Sequence, residues 1–154
     1  DIPAVRTVNT VYIDGAFYVV TYALSGKMKQ IAKNPTVAIC GDWFTAHGVG
    51  ENLGHVLLEE NQNIMEKLRT AFSAWYNNGH TNEADPNTCL LKIRLTDGVL
   101  FSHGTRYDIE FERLVVMICQ QHRKDRALFG EAEWSIINLG QDSTSGSVSV
   151  CARN

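Results

Sequence analysis

The sequence has few prolines, no excess of basic residues and no long hydrophobic run. Only 3 of its 154 residues are proline and 44% are hydrophobic, which excludes a disordered or collagen-like chain. Fourteen basic residues against 17 acidic ones give a formal net charge of −3, so we expect neither a nucleic-acid partner nor an anionic membrane partner. The longest apolar run, residues 114–119, is far shorter than the ~18 residues of a membrane span. Any anionic ligand must therefore meet a local cluster of positive groups.

Targeting signals and paired cysteine motifs are also missing. The first six residues lack the charged and apolar regions of a signal peptide, and there is no initiator methionine. The four cysteines, Cys40, Cys89, Cys119 and Cys151, form no CxxC pair, and three of them lie in apolar runs. We therefore expect buried free thiols and a cytoplasmic protein with a single domain over residues 1–154.

β-Strand signals dominate the first part of the chain. Asp14-Gly15 is a hairpin signal between two runs rich in β-branched residues. Ser25 is predicted to cap a short helix that ends at Asn34-Pro35, because the residue before proline avoids the helical region. The predicted strands here are residues 5–13, 16–21, 36–40 and part of 45–58.

The remainder of the chain combines helices and strands. Apolar residues at three- and four-residue steps predict helices at residues 61–76 and 123–139. Thr96-Asp97-Gly98 is predicted to be a turn. Further strands are predicted at residues 89–95, 99–101, 107–111 and 148–152. The whole pattern predicts a mostly β protein with α-helices, arranged as a small antiparallel barrel of at least six strands with helical covers.

A group of residues around the first helix predicts an anion site. Arg6 lies on the first strand, Thr21 ends the second, and Ser25, Gly26 and Lys27 open the helix. Free backbone N–H groups and the positive end of the helix dipole favour a phosphate there. Arg6 adds a bidentate contact if its strand pairs with the second strand. A Ser-Gly-Lys sequence that opens a helix is more often only a cap, so these residues alone do not identify a ligand.

Residues 6–39 read RTVNTVYIDGAFYVVTYALSGKMKQIAKNPTVAI: an Arg-bearing strand, a hairpin, a strand ending in Thr, and a Ser-x-Lys helix ending in Asn-Pro. In this order they resemble the core of the pyridoxamine 5′-phosphate oxidase-like family, and a looser likeness continues to about Phe111. The resemblance implies a six-stranded antiparallel split β-barrel flanked by helices that binds FMN. It also implies an FMN-dependent oxidoreductase, with a small-molecule substrate that it does not identify and a reductant such as NAD(P)H. Family members are homodimers with FMN at the subunit interface, and the Phe72, Trp75 and Tyr76 face is a candidate for that contact.

The resemblance assigns cofactor-binding residues position by position. Arg6 and Lys27, with Ser25 nearby, would hold the FMN phosphate. The isoalloxazine would be lined by the backbone or side chains of Thr7, Val8 and Asn9, by Val20 and Thr21, and by Asn52 in place of a glutamine. No catalytic residue and no metal ligand is assigned.

Several departures separate this chain from the vitamin-metabolising oxidases of that family. Gly26 stands where they place a second basic residue, and Val49 stands where they place a flavin-contacting glutamine. The C-terminal segment that closes their substrate pocket is missing, which argues against pyridoxine phosphate as the substrate.

The order of elements also departs from the family. The helix and strand that residues 112–154 resemble come before the Arg-bearing strand in the family, so the chain resembles a circularly permuted member. This order predicts that Asp1 and Asn154 lie side by side in one antiparallel ladder. The alternative is a native C-terminal extension made of a helix and a strand.

Other chemistries have weaker signals. His80, in the polar run 79–85, is the one local hint of a metal site, and a solvated turn explains that run better. His47 and His55 flank glycines in a predicted strand and are candidates to reach a cofactor. No Ser-His-Asp or Cys-His spacing supports a nucleophilic mechanism. The alternatives to an oxidoreductase are a non-catalytic flavin or haem binding or sensor protein on the same fold, and a flavin-free barrel with another ligand.

Overall fold

A computed structural model describes residues 4–79, 81–111, 115–119 and 146–152. Its strands are β1 (Ala4–Ile13), β2 (Ala16–Tyr22), β3 (Thr36–Cys40), β4 (Phe44–His55), β5 (Thr88–Ser102), β6 (Thr105–Glu110), β7 (Val115–Cys119) and β8 (Gly146–Ala152). Its helices are α1 (Gly26–Lys33) and α2 (Gln62–Ala71), with a short 3-10 turn at Glu59–Asn61. Neither of these described helices has the length and apolar character needed to cross a membrane. The predicted helix at residues 123–139 lies outside the described residues.

The described strands form one antiparallel sheet that returns on itself. Their order is β2-β1-β8-β3-β4-β5-β6-β7, and β2 also pairs with β5. Six strands therefore follow one another in a ring of pairings, and β6 and β7 extend the sheet from β5. Because strands twist, such a ring curves the sheet and separates an inner face from an outer one. The predicted class, mostly β and antiparallel with flanking helices, is confirmed.

The first and last described strands are neighbours. β1 and β8 pair antiparallel from Thr10 opposite Gly146 to Ala4 opposite Ala152. β8 also pairs with β3 and so fills the position between β1 and β3. The predicted ladder between the two ends of the chain is present, although Asp1 and Asn154 themselves lie outside the described residues.

Alternate residues of the strands fill the inner face. Val19 and Leu91 are buried there, because side chains two residues apart on a strand share a face. Helix α1 covers this core with its two buried residues, Met28 and Ile31. Gly50 of β4 permits the close approach of α1, since a Cβ at Gly50 would lie 3.0 Å from Ile31 Cγ2.

Helix α2 packs on the opposite face of β1 and β2. Met65 and Leu68 are fully buried in a cluster that includes Tyr18 of β2. Phe72 and Tyr76, which follow the helix, belong to the same cluster and are only 3% and 4% exposed. Phe72 and Tyr76 are therefore used inside the protomer, and of the three aromatic residues suggested for a dimer contact only Trp75 is partly exposed.

β5 is continuous where the sequence predicts a turn at Thr96-Asp97-Gly98. The Leu95 N–H donates to Gly15 O, whereas the Phe111 N–H donates to Thr96 O, each at 2.9 Å. Along this edge, β5 therefore pairs with β2 before this point and with β6 after it. Gly98 belongs to the strand because β4 approaches closely: a Cβ at Gly98 would lie 3.0 Å from the backbone oxygen of Thr45.

Two further expectations need correction. Helix α2 ends at Ala71, before the predicted end at Tyr76, because residues 72–79 form successive turns. Cys40 is exposed rather than buried, since it lies at the end of β3 and alternates with the inward-facing Ile39. Cys89 is a buried free thiol, as expected. The side chains of the other two cysteines lie outside the described part of the chain.

We expect Gly48→Ala to lower the free energy of unfolding by about 2–3 kcal/mol, the upper range for overpacking. The new Cβ would lie 2.7 Å from the backbone oxygen of Arg94, which cannot move without disturbing the pairing of β4 with β5. Gly50→Ala is the matched variant, with an expected loss of about 1 kcal/mol, because the neighbouring Ile31 side chain can rotate away. Urea denaturation measures both losses, and equal losses would contradict the assignment of the rigid contact to Gly48.

Candidate functional site

Arg6 lies on β1 beside the start of α1. The residues of β1 alternate in exposure, and Arg6 shares its half-buried face with Val8, which packs against the inner core. Arg6 Nη2 lies 3.4 Å from the point that a Cβ on Gly26 would occupy. The space beside residue 26 is therefore occupied by the Arg6 guanidinium.

Ser25 is the N-cap residue of α1, as predicted, but its hydroxyl does not cap the helix. Ser25 Oγ is buried and has no hydrogen-bond partner among the described residues. Because a buried polar atom without a partner is unfavourable, the Ser25 hydroxyl is free to bond to a water or a ligand. The first turn of α1 contains no acidic residue, so the positive end of the helix dipole is not neutralised within the helix.

Lys27 is the third polar residue of this group and is half-buried. Burial, and to a smaller extent the positive charge of Arg6, lowers the pKa of the Lys27 ammonium below its usual value. Within the described ranges, neither Arg6 nor Lys27 forms an ion pair with a carboxylate. Two neighbouring cations without a counter-ion repel each other, and a bound anion relieves that repulsion. We call Arg6, Ser25 and Lys27 the cationic cluster.

Thr21 lies at the same end of the sheet as the cationic cluster. It pairs with Cys89 of β5. Burial raises the pKa of the Cys89 thiol, and the nearby Lys27 ammonium opposes that shift. Sequence reasoning misses this neighbour of Lys27. The sequence signal for it is that Cys89 and Leu91 are two residues apart on an apolar strand, which predicts that both face the core.

The other residues assigned to the first strand divide between its two faces. Thr7 and Asn9 are exposed and alternate with Arg6 and Val8. Successive side chains of a strand point to opposite faces, so the side chains of Thr7 and Asn9 lie on the face away from Arg6. Of these neighbours, only Val8 shares a face with the guanidinium.

Val20 and Asn52 have structural partners elsewhere. Val20 packs against the cluster formed with α2, on the face opposite to Thr21. Asn52 Oδ1 accepts a hydrogen bond of 3.0 Å from the Gly54 N–H, at the point where the pairing of β4 with β5 shifts register. The structure therefore brings together the predicted phosphate-binding residues and does not gather the predicted isoalloxazine-lining side chains around them.

Both histidines of β4 have partners of their own. His47 Nδ1 lies 2.7 Å from Asp97 Oδ1. His55 Nε2 lies 3.0 Å from the backbone oxygen of Asp85, and His55 Nδ1 accepts a hydrogen bond of 3.2 Å from the Leu57 N–H. Among the residues that the structure describes, no group of three His, Cys, Asp or Glu side chains is placed to hold a metal ion. His80 lies outside them.

The polar run around residues 79–85 is anchored to the protein rather than being only a solvated turn. Arg69 donates two hydrogen bonds, of 2.8 and 2.7 Å, to the Glu83 carboxylate, and the Tyr76 hydroxyl donates a third of 2.8 Å. The hydrogen bonds from Arg69 hold the pKa of Glu83 below its usual value, while burial raises the pKa of Tyr76. This network holds the loop between α2 and β5 and gives these residues a structural role.

Removing the charge of Lys27 is expected to stabilise the unliganded protein. Because its pKa is lowered in the folded state, the unfolded chain binds more protons between the two pKa values, and stability rises with pH through that window. Below this window Lys27 is charged in both the folded and the unfolded state, and its charge then lowers the free energy of unfolding by the full amount. Lys27→Met keeps the apolar stem and should raise the free energy of unfolding by about 0.5 kcal/mol at neutral pH. The gain should disappear above pH 10.5, where Lys27 is neutral in both states.

The control is Lys29→Met, since Lys29 is exposed on the same helix. Urea denaturation at neutral and alkaline pH compares the two variants. A similar gain for Lys29→Met would show a general effect of net charge and would contradict a specific repulsion between Lys27 and Arg6.

Comparison with known proteins does not identify a family or a function for this chain. No protein-family model matches the chain, and no curated protein matches it significantly. The residue pattern of the first strands and the geometry of the cationic cluster are therefore the observations on which a functional proposal rests.

Proposed function

We propose that this protein binds FMN and acts as an FMN-dependent oxidoreductase of the pyridoxamine 5′-phosphate oxidase-like type. The cationic cluster is the observation that carries the proposal. A phosphate monoester carries about −1.5 to −2 charges at pH 7 and offers three acceptor oxygens. Two cations, an unpartnered hydroxyl and the first N–H groups of α1 are a matching set of charges and donors.

The sheet topology supports FMN as the phosphate-bearing ligand. The segment that resembles the flavoprotein family forms, in order, β1, a hairpin, β2, α1 and β3. The ring of pairings through β1, β2, β5, β4, β3 and β8 is the arrangement that a six-stranded split barrel requires. Both observations agree with the resemblance, and we propose that the curved sheet is such a split barrel.

In this proposal the residues of the chain bind and orient the cofactor. Arg6 and Lys27 neutralise the phosphate, and Ser25 donates a hydrogen bond to it. The isoalloxazine lies toward Val8 and Thr21, which share the inner face with Arg6, while Thr7, Asn9 and Val20 face the other side of the sheet and Asn52 is hydrogen-bonded to Gly54. FMN supplies two-electron transfer, with NAD(P)H as a candidate reductant, while the protein supplies position and electrostatics.

A second copy of the chain would complete the site. Tyr22 and Leu24, which lie between Thr21 and Ser25, are 44% and 55% exposed. Large apolar side chains beside a polar site are typical of a surface that another chain covers. We therefore propose a homodimer with FMN at its interface. The free thiols of Cys40 and Cys89 support a reducing, cytoplasmic location.

Arg6→Ala and Lys27→Ala should each weaken FMN binding by about 1.5–3 kcal/mol, the usual contribution of a hydrogen bond to a charged group. Quenching of flavin fluorescence on titration with protein measures the dissociation constant. Riboflavin, which lacks the phosphate, should bind more weakly than FMN to the parent protein and be insensitive to both substitutions. Lys29→Ala is the matched control and should bind FMN like the parent.

Two results would contradict this phosphate site. One is equal affinity of the parent protein for FMN and riboflavin. The other is unchanged FMN affinity in both Arg6→Ala and Lys27→Ala. An absorbance spectrum of protein mixed with flavin or haem distinguishes a flavin-free barrel, which would bind neither, and a haem carrier, which would show the haem spectrum.

A separate experiment tests the oxidoreductase assignment. Anaerobic addition of NADH or NADPH to FMN-loaded protein should bleach the visible flavin band, because the reductant transfers two electrons to the bound cofactor. Free FMN at the same concentration is the control for reduction without protein. Absence of bleaching with both donors would favour a non-catalytic flavin-binding or sensor protein.

A further inference from the structure

A cavity of about 220 Å³ lies on the outer face of β3, β4 and β5, with Val5 of β1 at its side. Val5 and Arg6 are adjacent on β1, and adjacent side chains of a strand point to opposite faces. The cavity is therefore separate from the cationic cluster. Among the described residues, its polar side chains are Cys40, Thr45, His47 and Asp97, and its apolar side chains include Ala38 and Val99. β8 runs between β1 and β3 here, and its side chains lie outside the described part of the chain.

His47 and Asp97 form an oriented pair in this cavity. They are cross-strand partners, with His47 Nδ1 2.7 Å from Asp97 Oδ1. The Thr96 hydroxyl donates a hydrogen bond of 2.9 Å to Asp97 Oδ2. The hydrogen bond from His47 is the main cause that holds the pKa of Asp97 below its usual value. Because an ionised carboxylate only accepts hydrogen bonds, Nδ1 is the nitrogen that carries a proton, and in the neutral form of the ring Nε2 is the acceptor.

Cys40 presents a free, exposed thiol to the same cavity. It pairs with Thr45, and Ala38 pairs with His47, so Cys40 and His47 are diagonal neighbours on one face of β3 and β4. Diagonal partners have Cα atoms about 7–8 Å apart, a separation that an aromatic ring can bridge. The His47 side chain is 64% exposed, which leaves the imidazole accessible to a molecule in the cavity.

We propose that Cys40, His47 and Asp97 form a thiol-modification site for small organic disulfides. His47 Nε2 takes the proton of the Cys40 thiol, and the thiolate attacks one sulfur of the disulfide. The S–S bond of the disulfide breaks as a new S–S bond to Cys40 Sγ forms, and the departing thiolate takes the proton from His47. The sulfur of Cys40 is oxidised and the departing sulfur is reduced, so no other reactant is needed.

Asp97 acts through His47 and is a positioning residue. By accepting a hydrogen bond from Nδ1–H it selects the tautomer whose Nε2 is a base, as the carboxylate does in a Ser-His-Asp triad. The other charged group in register with this pair is Glu110 of β6, which pairs with Asp97. The apolar walls suit a small uncharged organic group rather than a charged one.

The test uses 2-hydroxyethyl disulfide, a small neutral probe, and measures the rate of mixed-disulfide formation at Cys40 by peptide mass spectrometry. An ordinary thiol has a pKa of about 8.5 and is only a few per cent ionised at pH 7. We therefore expect Cys40 in the native protein to react about tenfold faster at pH 7 than Cys40 in the urea-unfolded chain. His47→Gln should remove this advantage, and Asp97→Asn should reduce it.

The pH dependence distinguishes base catalysis from a structural effect. At pH 10 the thiol ionises without help, so native protein and both variants should react at similar rates. Rates that are depressed equally at pH 7 and pH 10 would point to a structural role and overturn the proposal. His103→Asn, at an exposed turn, is the control and should react like the parent. Equal rates for native and unfolded protein at pH 7 would also overturn the proposal, without relying on any variant.

Discussion

The pairing of β2 with both β1 and β5 is the constraint on which the rest of this structure depends. It returns the sheet on itself and so gives each strand an inner and an outer face. Helix α1 covers the inner core, and α2 covers β1 and β2 from the opposite side. The adjacent residues Val5 and Arg6 illustrate the result, since one borders the outer cavity and the other reaches the start of α1.

The charges and the buried hydroxyl of the cationic cluster are energetically unfavourable in the protein alone. Arg6 and Lys27 are neighbouring cations, the Lys27 ammonium is half-buried, and the Ser25 hydroxyl is buried without a described partner. Each feature is unfavourable in the protein alone, and an anion with several acceptor oxygens would relieve all three. Gly26 contributes by leaving space for the guanidinium, so the absence of a side chain there helps to shape the site.

The two faces of the sheet carry different chemistry. The inner end has fixed positive charge and hydrogen-bond donors, which suit binding and orientation of an anion. The outer cavity has a histidine held in one tautomer by a carboxylate, beside an exposed thiol, which suits proton transfer. The first arrangement needs a helix terminus, whereas the second needs only strand register, because Ala38, His47 and Asp97 are successive cross-strand partners.

Local patterns in the sequence determine much of this protein. The Asp14-Gly15 hairpin, the short helix that ends before Pro35 and the N-cap position of Ser25 can all be predicted, because turn chemistry and helix capping act over a few residues. The pairing of the first and last described strands could be anticipated from element order. Only the tertiary structure decides that β5 continues through Thr96-Asp97-Gly98, since there a contact with β4 and an exchange of neighbours override a local turn signal. The meeting of Cys40, His47 and Asp97 in one cavity is decided in the same way, because strand register joins residues whose separation along the chain carries no signal.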